Sequence, residues 1–259
     1  MFKQLIASTI ITLLTGCAAY TAPGRGANLS ALGISPEAQK AGTPSDLNAA
    51  FDKRPLANFP ANVAVVRLQE PGYRSASAEG WGRGAYSIVI TRDVETDASM
   101  ERLQKLPLVH GIVPIGRLLL PPELNSDQEL RYAASRLQAD MLLIYTFDTV
   151  FYDRDLASPI SIVTLGLSPT QATRVTTTAS AVLLDTRNGF VYGVAEASAK
   201  KDGLATAWNT TSAIDGDRRK TEAEAFEKLV TNIETMWKCT VAEFGPNAPK
   251  GSARYPTGG

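Results

Sequence analysis

The feature that most constrains this chain is the run MLLIYTFD, residues 141–148. It is too short for a long helix, and its aliphatic and aromatic content suits a central strand, buried on both faces. The segment ahead of it is patterned differently. Ser126 and Glu129 have capping-box spacing, and Leu130, Ala133, Ala134 and Leu137 then recur at i, i+3, i+4 and i+7. That spacing predicts a helix with one apolar face turned to a sheet, and the chain turns at Ala139-Asp140 straight into the strand.

The remaining elements alternate in the same way. NVAVVRL (62–68) is dense in β-branched residues and reads as a buried strand, and YSIVI (86–90) is a second. Between them GYRSASAEGWGRGAY is a glycine-rich loop. Met100, Leu103 and Leu106 stand at helical spacing after Asp97, and Pro107 stops that helix. LVHGIVPIG (108–116), interrupted by Gly111 and Pro114, is a strand with an irregular end or an edge strand. Two Thr-, Val- and Ala-rich runs flank Asn188-Gly189, a hairpin signal. A last helix is expected to start at a second capping box, Thr221 with Glu224. Its stripe is Phe226, Leu229, Val230, Ile233, Trp237 and Val241, and it ends near Gly245-Pro246. The fold class is therefore α+β, an α/β sandwich: a mixed sheet with a β-hairpin and helices packed on it.

The amino-terminal end supplies an address. Leu5 to Leu14 is apolar and follows Lys3; ten residues are too few to span a hydrocarbon core, which takes roughly twenty. The pattern is that of a signal peptide. It closes on Leu14-Thr15-Gly16-Cys17, which resembles the bacterial lipobox. The resemblance implies cleavage before Cys17, acylation of its thiol with palmitate-type chains, and, with Ala18 rather than Asp behind it, sorting to the outer membrane with the domain facing the periplasm. The alternative is an ordinary signal peptide with an incidental cysteine. Residues 18–60 are rich in Gly, Pro, Ala, Ser and Asn without sustained periodicity, as a flexible tether would be. The expected plan is a signal peptide over 1–16, a tether over 17–60, one α/β envelope domain over 61–245 and a disordered tail over 246–259.

Composition narrows the functional classes. The 26 basic residues balance the 26 acidic ones, so no overall field draws the chain to nucleic acid. His110 is the only histidine and sits among apolar neighbours, and a zinc site draws on several His and Cys. Neither a nucleophile-elbow motif nor a phosphate-binding glycine loop occurs. No catalytic residue, metal or cofactor is assigned on these grounds. Asp148, Asp153 and Asp155, with Glu196, keep open an envelope hydrolase built on paired carboxylates. Cys239, the second cysteine, lies on the last helix, where a small packed thiol is expected. Tyr73, Arg74, Trp81, Arg83 and Tyr86, in or beside the glycine loop, are residue types that dominate protein interfaces and form the candidate contact surface; the alternative is that Trp81 folds back onto the sheet.

Two segments, SRLQADMLLIYTF and AVLLDTRNGFVYG, resemble turns of a group of bacterial envelope α/β domains. The group includes the curli-secretion lipoprotein, the lipoprotein activators of penicillin-binding proteins and the amino-terminal domain of the Tol-Pal β-propeller protein. The resemblance implies a non-enzymatic domain that docks to other envelope proteins. Asn188 stands where the group often has Thr, and the amphipathic segments of a secretion pore are not evident. The lipobox together with the terminal Gly258-Gly259 also resembles the rhombotarget lipoproteins, although the transmembrane tail and basic cluster of a GlyGly sorting signal are lacking. The implied function is a lipid-anchored docking or regulatory module with an envelope protein partner.

Overall fold

A computed structural model describes residues 25–27, 44–155, 171–205 and 210–248. The lipobox residues Leu14, Thr15, Gly16 and Cys17, the side chains of Asp153 and Asp155, and Gly258-Gly259 lie outside the described residues. In chain order the elements are α1 (Pro44–Asp52), β1 (Ala61–Gln69), β2 (Gly80–Trp81), β3 (Arg83–Gly84), β4 (Ser87–Val89), α2 (Asp97–Gln104), β5 (Val109–Pro114), a 3-10 turn (Arg117–Leu119), β6 (Glu123–Leu124), α3 (Asp127–Arg136), β7 (Met141–Asp155), β8 (Gln171–Asp185), β9 (Val191–Ala205) and α4 (Thr210–Phe244).

β1 is the axis of a seven-stranded mixed sheet ordered β2-β4-β1-β7-β8-β9, with β5 also paired to β1. On one side Val63–Val66 run parallel to Met141–Ile144 of β7. The other side is shared: β5 pairs parallel over Ala61–Val65, and β4 takes over antiparallel from Arg67. Because β5 and β7 lie on opposite sides of β1, their crossovers must use opposite faces to keep the right-handed sense. The cores show this. Val63, Val65, Leu143, Tyr145 and Phe147 face Leu103 of α2 and Phe226, Leu229 and Trp237 of α4. Ala64, Val66, Leu142 and Ile144 face Leu130, Ala133 and Ala134 of α3. Each large side chain so buried contributes about 1.5–3 kcal/mol.

The expected signals hold for most elements. Ser126 and Glu129 form a complete capping box at the start of α3. The β8–β9 hairpin turns through Gly189 at φ 70°, and the Gly189 N–H donates to the Asp185 carbonyl at 2.9 Å. Two boundaries differ. β7 continues past Asp148 to Asp155, because β8 stays in register with it along its whole length. The last helix starts eleven residues before Thr221, at Thr210. Thr221 is therefore no cap; its hydroxyl donates to the carbonyl of Asp217 one turn back, at 2.7 Å, the usual outlet for a threonine inside a helix.

β9 is the last strand of the sheet, and a free strand edge invites unwanted pairing. Here α4 closes it. Asn232 Nδ2 donates to the Glu196 carbonyl at 2.6 Å and Lys228 Nζ to the Ser198 carbonyl at 3.2 Å. Gly193 makes the close approach possible, since a Cβ there would meet Met236 Cγ at 2.7 Å.

Parts of the stretch read as a tether lie against the sheet. Gly26 bridges antiparallel to Gln69. Farther on, the Leu56 N–H donates to Asp185 Oδ2 at 2.7 Å and Asn188 Nδ2 donates to the Arg54 carbonyl at 2.6 Å. His110 is exposed on β5. Cys239 is exposed on α4 instead of packed, because two residues on from the buried Trp237 it stands on the other side of the helix.

Beyond Ile144 the ladder between β1 and β7 gives way to a side chain. The carboxamide of Gln69 accepts the Phe147 N–H at 2.9 Å and donates to the Phe147 carbonyl at 3.0 Å, with Gln69 only 1% exposed. Gln69→Leu leaves both backbone groups without their partner. At roughly 1–3 kcal/mol for each buried group, the expected loss is about 2–6 kcal/mol, read as a lower midpoint in urea unfolding.

Candidate functional site

The candidate contact group is divided by the fold. Tyr73 and Tyr86 are 1% and 0% exposed, so neither is available to a partner. The loop that carries them folds back as β2 against β4, and Tyr86 alternates inward with Ile88. The Tyr86 hydroxyl donates to the Ser126 carbonyl at 2.6 Å and so holds the entry to α3. Arg74 and Arg83 are exposed, with Arg74 paired to Glu79 at 2.6 Å. Trp81 is half-buried and packs against the cluster on the α3 face. Asp148 and Glu196 are both exposed, on different strands with β8 between them; Glu196 accepts from Ser180 at 3.1 Å.

The chemistry that the fold concentrates lies elsewhere, at the carboxyl-terminal end of β1. Strand alternation turns Arg67 to the same face as Val63 and Val65, beneath α4. The link from β4 to α2 brings Asp93 and Glu95, and one face of α4 brings Asp215, Arg218 and Glu222 at helical spacing. Asp93 joins both arginines, with Oδ1 2.8 Å from Arg67 Nη1 and Oδ2 3.2 Å from Arg218 Nη2. Glu222 does the same, 2.6 Å from Arg218 Nη1 and 3.7 Å from Arg67 Nη2. The result is a closed ring of alternating sign.

Neutral groups complete it. The Tyr73 oxygen accepts from Arg67 at 3.2 Å and from Arg218 at 3.5 Å. Thr149 donates to Glu222 at 2.9 Å, Tyr145 donates to Glu95 at 2.9 Å, and Ser77 donates to Asp93 at 2.5 Å. The Arg67 guanidinium also lies 4.7 Å from the Phe147 ring centroid, a favourable placement over a π-face. Arg67, Arg218, Asp93 and Glu222 are at most 3% exposed.

Burial and pairing oppose each other in this ring, and the balance differs by group. Burial disfavours the charge on Arg67, but Glu95, Tyr73, Glu222 and Asp93 together outweigh it and hold the guanidinium above its ordinary value. Arg218 is raised in the same way, burial being overcome by Glu222 and then Tyr73 and Asp215. Burial also pushes Asp93 up, yet Arg67, the Ser77 hydroxyl and Arg218 bring it below its usual range. For Glu222 burial prevails over Arg218 and Arg67, and its carboxyl is raised. Of the two bridging carboxyls, Glu222 takes a proton first on acidification. Sealed from solvent, the ring clasps β1, the β4–α2 link, the loop at Tyr73 and the front half of α4 to one another.

Beside it, where β5 hands the side of β1 over to β4, is a cleft of about 40 Å³ bordered by Arg67, Thr91, Arg92, Glu95, Ile115 and Tyr145. Among the described residues the Nε of Arg67 has no hydrogen-bond partner. A space this size holds on the order of two or three waters, and neither Asp148 nor Glu196 borders it. Among the described residues no group of three or more His, Cys, Asp or Glu is placed to hold a metal ion, and no helix is long and apolar enough to cross a membrane.

No family model matches this chain, and no curated protein matches it. Solved structures that match it include a candidate lipoprotein of Caulobacter crescentus CB15, at 16% identity and a TM-score of 0.27 over 39% of this chain and 68% of that one. They also include a Xanthomonas campestris protein of family DUF330, at 11% identity and a TM-score of 0.33 over 73% and 92%. A third is the hypothetical protein CT253 of Chlamydia trachomatis, at 10% identity and a TM-score of 0.28 over 68% and 96%.

Sequence reasoning missed the ring, although its signals are present. Arg67 interrupts an otherwise apolar strand, and Asp215, Arg218 and Glu222 stand at i, i+3 and i+7 ahead of the apolar stripe of α4. Arg67→Met should cost about 3–5 kcal/mol in chemical unfolding, since it strands buried carboxylates without their cation. Asp93→Asn tests the sign of the pH dependence. A depressed carboxyl stabilises the fold fully above its unfolded value, near 3.9, and that contribution disappears as the pH falls through the folded value. The variant should be less stable than the parent near neutrality, and the gap should close below about pH 4.

Proposed function

We propose that this chain is a lipid-anchored module of the bacterial cell envelope, held at the periplasmic face of the outer membrane by an acylated Cys17, and that it works by docking to or regulating another envelope protein. The observation that carries the reading is Leu14-Thr15-Gly16-Cys17 placed directly behind an apolar segment too short to span a bilayer. A thiol is nucleophilic enough to take a lipid as a thioether, and each buried methylene of the acyl chains is worth about 0.8 kcal/mol. Anchoring confines the domain to one surface and raises its effective concentration for partners there. The resemblance of its two turn motifs to the curli-secretion and penicillin-binding-protein-activator group supports docking as the mode of action, without catalysis. So does the enclosure of its buried charges within a sealed ring. On the glycine loop, Arg74, Arg83 and the open side of Trp81 are what remains for a partner to touch.

Metabolic labelling with palmitate tests the anchor. The parent chain should be labelled and sediment with outer membranes, and Cys17→Ala should be unlabelled and released. A parent chain that takes up no label overturns the reading. Crosslinking in intact envelopes tests the docking: Arg83→Glu should reduce at least one protein–protein crosslink severalfold, and a domain that crosslinks to nothing excludes a partner role.

A further inference from the structure

The notch between the end of β1 and the stretch of β7 that follows Ile144 is an acceptor for an extended chain segment, and this chain fills it itself. The two strands pair only as far as Val66 and Ile144 and then diverge. Gly26 and Ala27 occupy the space that opens. Gly26 bridges antiparallel to Gln69, and the Ala27 N–H donates to Thr146 Oγ1 at 2.8 Å, a buried bond between residues 119 apart in sequence. Ala27 is 8% exposed and belongs to the core cluster on the α3 face.

The fit selects glycine. A Cβ at position 26 would lie 3.0 Å from Thr146 Oγ1 and 3.2 Å from the Phe147 carbonyl oxygen. The second of these belongs to the backbone of a central strand, pinned there by the carboxamide of Gln69. A Cβ at 26 therefore requires these atoms to give by a few tenths of an ångström, and a branched side chain is expected to leave the notch.

Position matters more than the contact itself. Gly26 is nine residues beyond Cys17, whereas, among the described residues, the next backbone contact with the sheet, at Arg54, is 37 residues beyond it. At 3.3–3.6 Å per extended residue, and 1.5 Å per residue through α1, the first span reaches about 30 Å and the second about 110 Å. We propose that Gly26 and Ala27 are a strap which, seated in the notch between β1 and β7, shortens the leash from the lipid anchor roughly three- to fourfold and sets which end of the domain faces the bilayer. Release of the strap lets the same domain search a far larger volume. The proposal rests on acylation of Cys17, as set out above; the seating of the strap does not.

Two measurements separate these layers. In the unacylated Cys17→Ala chain, hydrogen–deuterium exchange reads the strap alone. The Ala27 amide should be protected, and Gly26→Val should speed its exchange by at least about tenfold while the amides of β7 keep their protection. Thr146→Val, which removes the acceptor and keeps the glycine, should act in the same direction. In the acylated chain in liposomes, Cys239 is exposed and can carry a donor dye, with acceptor dye on the lipids. The parent should show a narrow distance distribution to the membrane, and Gly26→Val a broader one with lower mean transfer. Equal Ala27 exchange in parent and Gly26→Val overturns the strap. Faster exchange with unchanged energy transfer overturns its control of the leash. A parent chain that is never acylated removes the anchor and the leash together, while the exchange result still reports the seating of the strap.

Discussion

The ring of Arg67, Asp93, Arg218 and Glu222 is the constraint on which the rest of the structure depends. Burying two guanidiniums carries a desolvation cost of several kcal/mol per ion, and only close, complete pairing offsets it. That condition is exacting. Arg67 belongs to β1, Asp93 to the link between β4 and α2, and Arg218 and Glu222 to α4, so all three must arrive together for any of the charges to be tolerated. An apolar contact would hold the same segments against a range of offsets. Alternating charges joined at 2.6–3.7 Å hold them in one.

The ring also explains the length of α4. Its apolar stripe from Phe226 to Trp237 covers the hydrophobic rows of β7, β8 and β1. Farther along the sheet the inward rows become polar, with Thr149 and Thr177 bonded to each other at 3.0 Å. A helix ending at the stripe would leave these hydroxyls without a polar ceiling. The additional turns supply one through Glu222, which accepts from Thr149, and Arg218, which neutralises Glu222.

Elements whose cause is local were legible in the sequence. The α3 capping box, the turn at Gly189 and the buried run of β7 each depend on neighbours within a few residues, and each stands where the pattern places it. What escaped depends on partners distant in the chain. Thr221 and Glu224 have capping spacing, but Thr221 is buried at 1% within a helix already under way, and tertiary contacts override the signal. Tyr73 and Tyr86 look like surface aromatics in a glycine loop until β4 pairs with β1 and draws both inside. Arg67 has the same history: a cation in an apolar strand has no visible partner until residues 26 and 155 positions away are brought to it. The Leu14–Cys17 pattern could be read from the sequence, yet the contacts of Gly26 and Ala27 could not, because they depend on a notch made by two strands that start 80 residues apart.

These features restrict how such a domain can meet a partner. Strand addition needs a free edge, and the long edge of this sheet is occupied where Asn232 and Lys228 take the outward carbonyls of β9. The opposite side ends in a two-residue β2 and in β5, whose last residue is Pro114 and which offers one fewer N–H there. Buried charges are committed to the ring, and the chain carries no net charge, so long-range attraction contributes little. What is left is side-chain contact at short range, of modest strength unless the two molecules are already close. The acylation proposed for Cys17 would supply that closeness, and an anchor and a guarded surface would then be two halves of one physical solution.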